Sequence, residues 1–430
     1  MSLLLKNALL VEPDLKKVVE GNLVIRNGLI DRKDFAADNE IDCTGKFVAP
    51  GIVDLGVKVC EPGDSHKESY ESAGKAAAAG GVTTIITRPD TKAAIDTPET
   101  FDFVKKKGNE DCIVNVFHIA ALTKDRKGRE ICEIGMLSEA GAIAFSDCDN
   151  VIQDNKIFSR ALTYASAMNV LVIGHPQEKS LSQGAVSTSG KFATLRGLPS
   201  VSPVAERIAL ERDLALIEMT NTRYHFDQIT NMNSIGVLKR AKKSGLDISA
   251  GTSIHHLSFN ELDIADYKTF FKLKPPLRSE KDRLATIEAV RDGTIDIISS
   301  MHTPQDEESK RLPFEDAASG AIGLETILPA MLRLYHSKHL EMHQIFNAIS
   351  LNPAKRLGLD SGTLKHKKAA DLIVFDADKP FILNRELLQS KVKNTPFDGQ
   401  KLQGRVLRTF VKGKEAVSYT HLTLPTSPKV

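Results

Sequence analysis

The chain has 430 residues, 41% hydrophobic and 26% charged. That is enough apolar content for a sizeable core and excludes disordered and collagen-like classes. Lys and Arg total 57 against 55 Asp and Glu, so charge gives no case for a nucleic-acid or anionic-membrane partner.

In chain order, residues 3–48 are short β-branched or alternating runs ("LLLKNALLV", "GNLVIRNGLI", "NEIDCTGKFVAP") split by Gly, Asn and Asp, which predicts a small β unit. A run at 50–60 ("PGIVDLGVKVC") then opens a series of strand-like segments: "GVTTIIT", "IVNVFHIAAL", "GAIAFSD", "VLVIGH", "RYHFDQIT", "DISAGTSIHH", "TFFKLKPP" and "IDIISSMHTPQ". Helical patterns at 70–79, 156–168 and 232–244 sit between them. Strand–helix alternation of this length predicts a parallel sheet closed as a (β/α)8 barrel, with polar residues gathered at its strand ends. The β texture returns in "DLIVFD" and "GRVLRTFVKG", so both chain ends are predicted to share one domain.

Residues 1–48 and 356–416 are thus assigned to a terminal β-sandwich and 49–355 to the barrel. Residues 417–430 ("VSYTHLTLPTSPKV") lack periodicity and read as a non-native tail. The basic runs Lys105–Lys107 and Lys239–Lys243 read as solvated helix faces. Five scattered cysteines without a CxxC pair predict reduced thiols and a cytoplasmic location. There is no signal-like start and no run of about eighteen apolar residues, so neither secretion nor a membrane span is expected.

The segments "PGIVDLGVKVCEPG", "AAAAGGVTTIITRPDT", "GAIAFSD", "KLKPPLRSEKDR", "DGTIDIISSMHTPQ", "PFEDAASGAIGLET", "NPAKRLGL" and "KNTPFDGQKLQGRV" resemble, in order, the landmarks of the dihydroorotase group of the amidohydrolase superfamily. The resemblance covers about residues 1–416 and implies a barrel that uses one or two zinc ions to open or close the cyclic amide of dihydroorotate. Zinc activates water and polarises the carbonyl, and each ion needs about three deprotonated protein donors.

By that resemblance, the metal-binding His pair of the first strand falls on Gly56 and Lys58. Glycine offers no donor, and lysine is protonated at neutral pH with a reference pKa of about 10.4. Asp147 and His175 are retained, whereas a further metal histidine falls on Gln228. The aspartate that binds metal and shuttles protons falls on Met301, a thioether unable to act as general base. Substrate-holding positions fall on Cys60, Asp90, Lys274 and His302, so the guanidinium clamp for a carboxylate is lost at Cys60.

Strand parity groups Lys58 with Asp54, Gly56 and Cys60 toward the barrel interior. A buried ammonium needs a partner, so Lys58 is expected to pair with Asp147, and with Glu178 as well. His175, His302 and the pair His255–His256 are read as packing and hydrogen-bonding residues, and His225 as pointing to the helical shell. Asp54, Glu61, Pro62 and Gly63 keep the resembled pattern, with Asp54 read equally as holding the barrel floor. Cys60 and Ser146 are the candidate nucleophiles at the rim.

Two function classes follow. The first is a non-catalytic dihydroorotase homologue without cofactor, serving as structural partner of aspartate transcarbamoylase and self-associating. The second is an active amidohydrolase acting on a cyclic amide through an atypical or mononuclear zinc site.

Overall fold

The computed structural model describes residues 2–418. Of the stretch set aside as a tail, Val417 and Ser418 end the strand Lys414–Ser418, which pairs with Lys401–Val411. The remainder of that reading lies outside the described residues.

Eight parallel strands follow one another around a barrel: β1 (Ile52–Val57), β2 (Val82–Thr87), β3 (Asn115–Ala120), β4 (Ala144–Phe145), β5 (Val172–Gly174), β6 (Tyr224–Phe226), β7 (Ile248–Ser253) and β8 (Ile297–Ser299). Their runs are apolar because both faces are covered. Inward, Val53, Leu55, Ile86, Ile119, Leu171, Ile173 and Ile297 form one cluster with Ala354. Outward, Ile85, Val172, Phe226 and Ala250 pack in the core that includes the helices.

The helical readings at 70–79, 156–168 and 232–244 correspond to Tyr70–Ala79, Asn155–Ala167 and Met232–Lys243. Ser69, Asp154 and Asn231 cap them, each side chain accepting backbone N–H groups of the first turn.

Three sequence readings are corrected. "TFFKLKPP" is not a strand: Thr269–Phe271 is a single 3-10 turn followed by loop, and Pro275 and Pro276 bring no N–H to a ladder. Asp54 does not face the interior cavity with Lys58. Pairing between β1 and β2 shifts between Asp54 and Val57, so counting residues by twos fails there. Val53 and Leu55 point inward instead, while Asp54 closes the barrel, its Oδ1 accepting from the Ser300 N–H (3.0 Å). The Lys58 N–H adds a bond to the His302 carbonyl (2.9 Å).

His225 is the third. Its neighbours Tyr224 and Phe226 take the helical side, so His225 turns inward and hydrogen-bonds through Nδ1 with Ser249 Oγ (2.8 Å). Gln228 lies beyond the strand with φ at 54°, which breaks the parity that linked the two.

Both chain ends build one eight-stranded sheet. One face carries Leu5, Leu23, Ile25, Leu372 and Phe410, and from the other Phe375 stacks on Phe346 beside the barrel (5.7 Å). From this sheet a segment returns to the barrel mouth. There Asn394 Nδ2 donates to the Thr303 and Gly320 carbonyls (3.2 and 3.1 Å), and Oδ1 accepts from the Gln305 N–H (3.2 Å). The β-sheet unit thereby fixes one wall of the cleft described next.

Candidate functional site

A cleft of about 160 Å³ opens among the residues that follow β1, β2, β7 and β8, bordered by Lys58, Arg88, Asp90, Arg126, Asp149, Gln228, His255, His256, Lys274 and Met301. A second cavity of about 280 Å³ adjoins it, sharing Asp149, Leu273, Lys274 and Ser319. This is the rim at which barrels of this kind place their ligands.

At its centre Lys58 Nζ lies 3.1 Å from Asp90 Oδ2. The Arg88 guanidinium approaches the same carboxylate, Nε at 3.3 Å from Oδ1 and Nη2 at 3.4 Å from Oδ2. Burial works against the Lys58 ammonium, but the attraction of Asp90 outweighs it and the pKa ends above its ordinary value. Burial likewise opposes the Asp90 charge, and Arg88 followed by Lys58 pulls its pKa below the usual carboxylate range. Both groups are ionised at neutral pH.

The expected partners of Lys58 are therefore corrected. Asp147 Oδ1 accepts from the Leu122 and Thr123 N–H groups (3.0 and 2.9 Å), and Oδ2 accepts from the Thr123 hydroxyl. This spends its acceptors on its own wall of the barrel. Burial pushes its pKa up to about 6. Glu178 caps the short helix Lys179–Ser182, accepting from the Leu181 N–H (2.7 Å).

His175 is buried, its pKa lowered to about 3 by burial, and its Nε2 meets no hydrogen-bond partner among the described residues. With Asp147 it borders a separate cavity of about 30 Å³ against Arg212 and Tyr224.

The remaining positions divide between cleft and core. Gln228 Nε2 donates to the Lys274 carbonyl (3.2 Å). A Cβ on Gly56 would collide with Met301 Sδ and reach within 3.1 Å of Ser299 Oγ, so Met301 fills the space where a residue-56 side chain would stand. Met301 is itself in the left-handed region, with φ at 44°.

His302 does not border the cleft. It is fully buried, with Nε2 3.2 Å from Glu68 Oε2 and Nδ1 accepting from the Gly323 N–H (3.2 Å). Cys60 is also buried away from the cavity, and burial pushes its thiol up to about 12, which removes it as a nucleophile. Ser146 Oγ accepts from the Cys148 N–H (2.9 Å) as part of a turn.

His255 and His256 belong to the short helix Ile254–Ser258 and border the cleft. His256 Nε2 lies 3.1 Å from the Pro275 carbonyl and Nδ1 2.8 Å from Ser253 Oγ. A carbonyl can only accept, so the ring carries its proton on Nε2.

Three residues at this site escape the sequence reading: Arg88, Arg126 and Asp149. Asp149 pairs with Lys274 at 2.9 Å. Burial opposes its charge, but Lys274 and Arg88 hold its carboxyl well below the usual range. The available signal was position, since Arg88 opens "RPDT" and Asp149 follows "FSD" by two residues.

The donors at the mouth do not fit a three-ligand zinc site. Asp147 and His175 border another, smaller cavity, Lys58 presents an ammonium, and among the described residues no three His, Cys, Asp or Glu side chains converge. No helix among the described residues is long and apolar enough to cross a membrane.

The chain shares the fold of L-hydantoinase from Arthrobacter aurescens, with TM-score 0.88, 24% identity, and 97% of this chain and 96% of that one covered. A D-hydantoinase structure matches with TM-score 0.85 at 21% identity, covering 97% and 95%. These likenesses define the fold, a (β/α)8 barrel with a companion sheet and a cleft at its rim.

The family model "Dihydro-orotase-like" matches residues 45–234. A "Dihydroorotase" of Wolbachia sp. subsp. Drosophila simulans (strain wRi) is 35% identical over 421 residues, covering 96% of this chain and 95% of that one. Another, of Aquifex aeolicus (strain VF5), is 34% identical over 418 residues, covering 96% and 99%. With identity of that order along its length, the chain belongs to the dihydroorotase family of the amidohydrolase superfamily.

Proposed function

We propose that this protein is a non-catalytic member of the dihydroorotase family, a cytoplasmic, self-associating barrel retained as structural partner of an aspartate transcarbamoylase in pyrimidine synthesis. One observation carries the reading: the Lys58–Asp90–Arg88 cluster stands at the mouth, beside Gly56 and Met301. A +2 ion about 4 Å from one ammonium, at an effective dielectric near 20, is repelled by about 8 kcal/mol. That is a large part of the roughly 10–16 kcal/mol with which proteins hold structural zinc, before any missing ligand is counted.

A second reading, an active amidohydrolase opening dihydroorotate or a related cyclic amide, draws support from the relatives' printed names and from Asp147 and His175 sharing one cavity. Elemental analysis of the purified chain, with dihydroorotate turnover followed in both directions, separates the two. The non-catalytic reading expects substoichiometric zinc and no turnover, and stoichiometric metal with turnover would end it. Co-expression with the transcarbamoylase of the same genome tests the partnership. A stable complex should bury well over about 1,000 Å² and co-migrate at micromolar concentration, and two separate species would refute it.

A further inference from the structure

Among the described residues, the cleft is bordered by four cationic side chains, Lys58, Arg88, Arg126 and Lys274, against two carboxylates, Asp90 and Asp149. Lys58 and Arg88 share the carboxylate of Asp90, and Arg88 also feels the carboxyl groups of Asp149 and Asp227. Lys274 is balanced by Asp149 at 2.9 Å. Arg126 also borders the cavity, and its Nε is buried without a hydrogen-bond partner among the described residues. Arg126 Nη1 makes a long hydrogen bond to the Asp147 carbonyl (3.5 Å), and its charge acts on the carboxyl groups of Asp90 and Asp147.

Asp125 and Arg126 are consecutive left-handed residues, with φ at 51° and 56°, a conformation that non-glycine residues rarely adopt. The Asp125 N–H donates to Asp96 Oδ2 (2.7 Å) and anchors the turn. The turn thus holds a guanidinium at the cavity edge with an unmet donor.

We propose that this cleft binds a small phosphate monoester, its dianionic head held directly by Arg126, Lys274 and the Lys58–Arg88 pair. The proposal rests on reading the cleft as metal-free. Several cations converging on about 160 Å³ suit a charge concentrated on one tetrahedral group better than two carboxylates held apart. The guanidinium edges supply the charge-assisted donors that phosphate oxygens accept best.

The test is calorimetric titration of the full chain with inorganic phosphate near neutral pH and low salt, with malonate and acetate as comparison anions. Phosphate should bind saturably, at least about tenfold tighter than malonate, and weaken several-fold as salt rises past about 0.15 M. Arg126→Gln should weaken phosphate about tenfold or more, and Asp149→Asn, which removes a negative charge, should tighten it. The opposite signs separate ligand contact from general damage, with melting curves confirming that both variants fold. Absence of saturable phosphate binding, a preference for malonate, or an unchanged Arg126→Gln variant would each overturn the proposal. Dihydroorotate turnover measured on the same preparation reports separately on the non-catalytic reading.

Discussion

Asp90 is shared by two cations, Lys58 Nζ at 3.1 Å from Oδ2 and Arg88 Nε at 3.3 Å from Oδ1; the carboxylate keeps both cations charged and they keep it ionised, while the cations oppose one another. Removing the carboxylate leaves two partly desolvated cations facing one another. Asp90→Ala is expected to cost roughly 3 kcal/mol of stability, read from urea unfolding midpoints. In a double-mutant cycle, adding Lys58→Met should return part of that loss. Strict additivity would mean that the two groups are uncoupled.

Gly56 and Met301 form the second coupled pair, because a Cβ at 56 meets the methionine sulfur. Gly56→His alone should destabilise by about 2 kcal/mol through overpacking. Met301→Asp in the same chain should relieve much of it, since aspartate is smaller and tolerates the left-handed backbone better. With Lys58→His added, zinc measured by elemental analysis should rise above the wild-type level. Turnover should stay poor while Gln228, Cys60, Asp90 and Lys274 are unchanged. A triple variant that takes up no more zinc than the parent would sink this account of what blocks the metal.

Asp147 carries a pH signature. Burial raises its pKa in the fold to about 6 from an ordinary 3.8, so the native state keeps a proton that the unfolded chain gives up first. Its contribution is full below pH 3.8 and lost as pH rises through about 6, a cost of about 3 kcal/mol at neutral pH. Asp147→Asn should therefore gain stability relative to wild type as pH climbs from 4 to 7. A melting-temperature difference independent of pH would refute it.

His175 works in the opposite sense. Burial lowers its pKa to about 3 from 6.5, so the unfolded chain binds the proton first and stability is lost as pH falls from 6.5 toward 3. His175→Gln should flatten this acid loss by up to about 1.4 kcal/mol per pH unit. Urea unfolding at several pH values below 6.5 checks it, and an unchanged slope would show that the imidazole titrates normally.

Glu68 ties three distant segments together, meeting His302 Nε2 at 3.2 Å and the hydroxyls of Ser72 and Ser390, all buried. Glu68→Ala should cost roughly 3 kcal/mol and speed amide exchange around Ser390 and Lys391. Slow exchange there in the variant would mean that the segment is held by other contacts.

Much of the fold was legible in the chain, because strand runs buried on both faces are uninterrupted and capped helices announce their first residue. Ser69 before Tyr70–Ala79 is such a case. The pairing of Lys58 was not legible. Sequence could say that an ammonium at this position needs a carboxylate, but several aspartates were within plausible reach. The irregular pairing after Asp54 and the backbone donors that claim Asp147 left Asp90 as the partner. The inward turn of His225 failed for the same reason, since a residue count cannot see where a strand stops.

By itself, then, the sequence determined the barrel, its β-sheet companion and which side chains stand at the resembled metal positions, because those depend on local periodicity and on which atoms a side chain owns. Only the tertiary structure decided which charges meet. Ion pairing across a barrel mouth depends on ångström-scale distances set by strand register and loop path, and Coulomb and hydrogen-bond energies fall off over just that range.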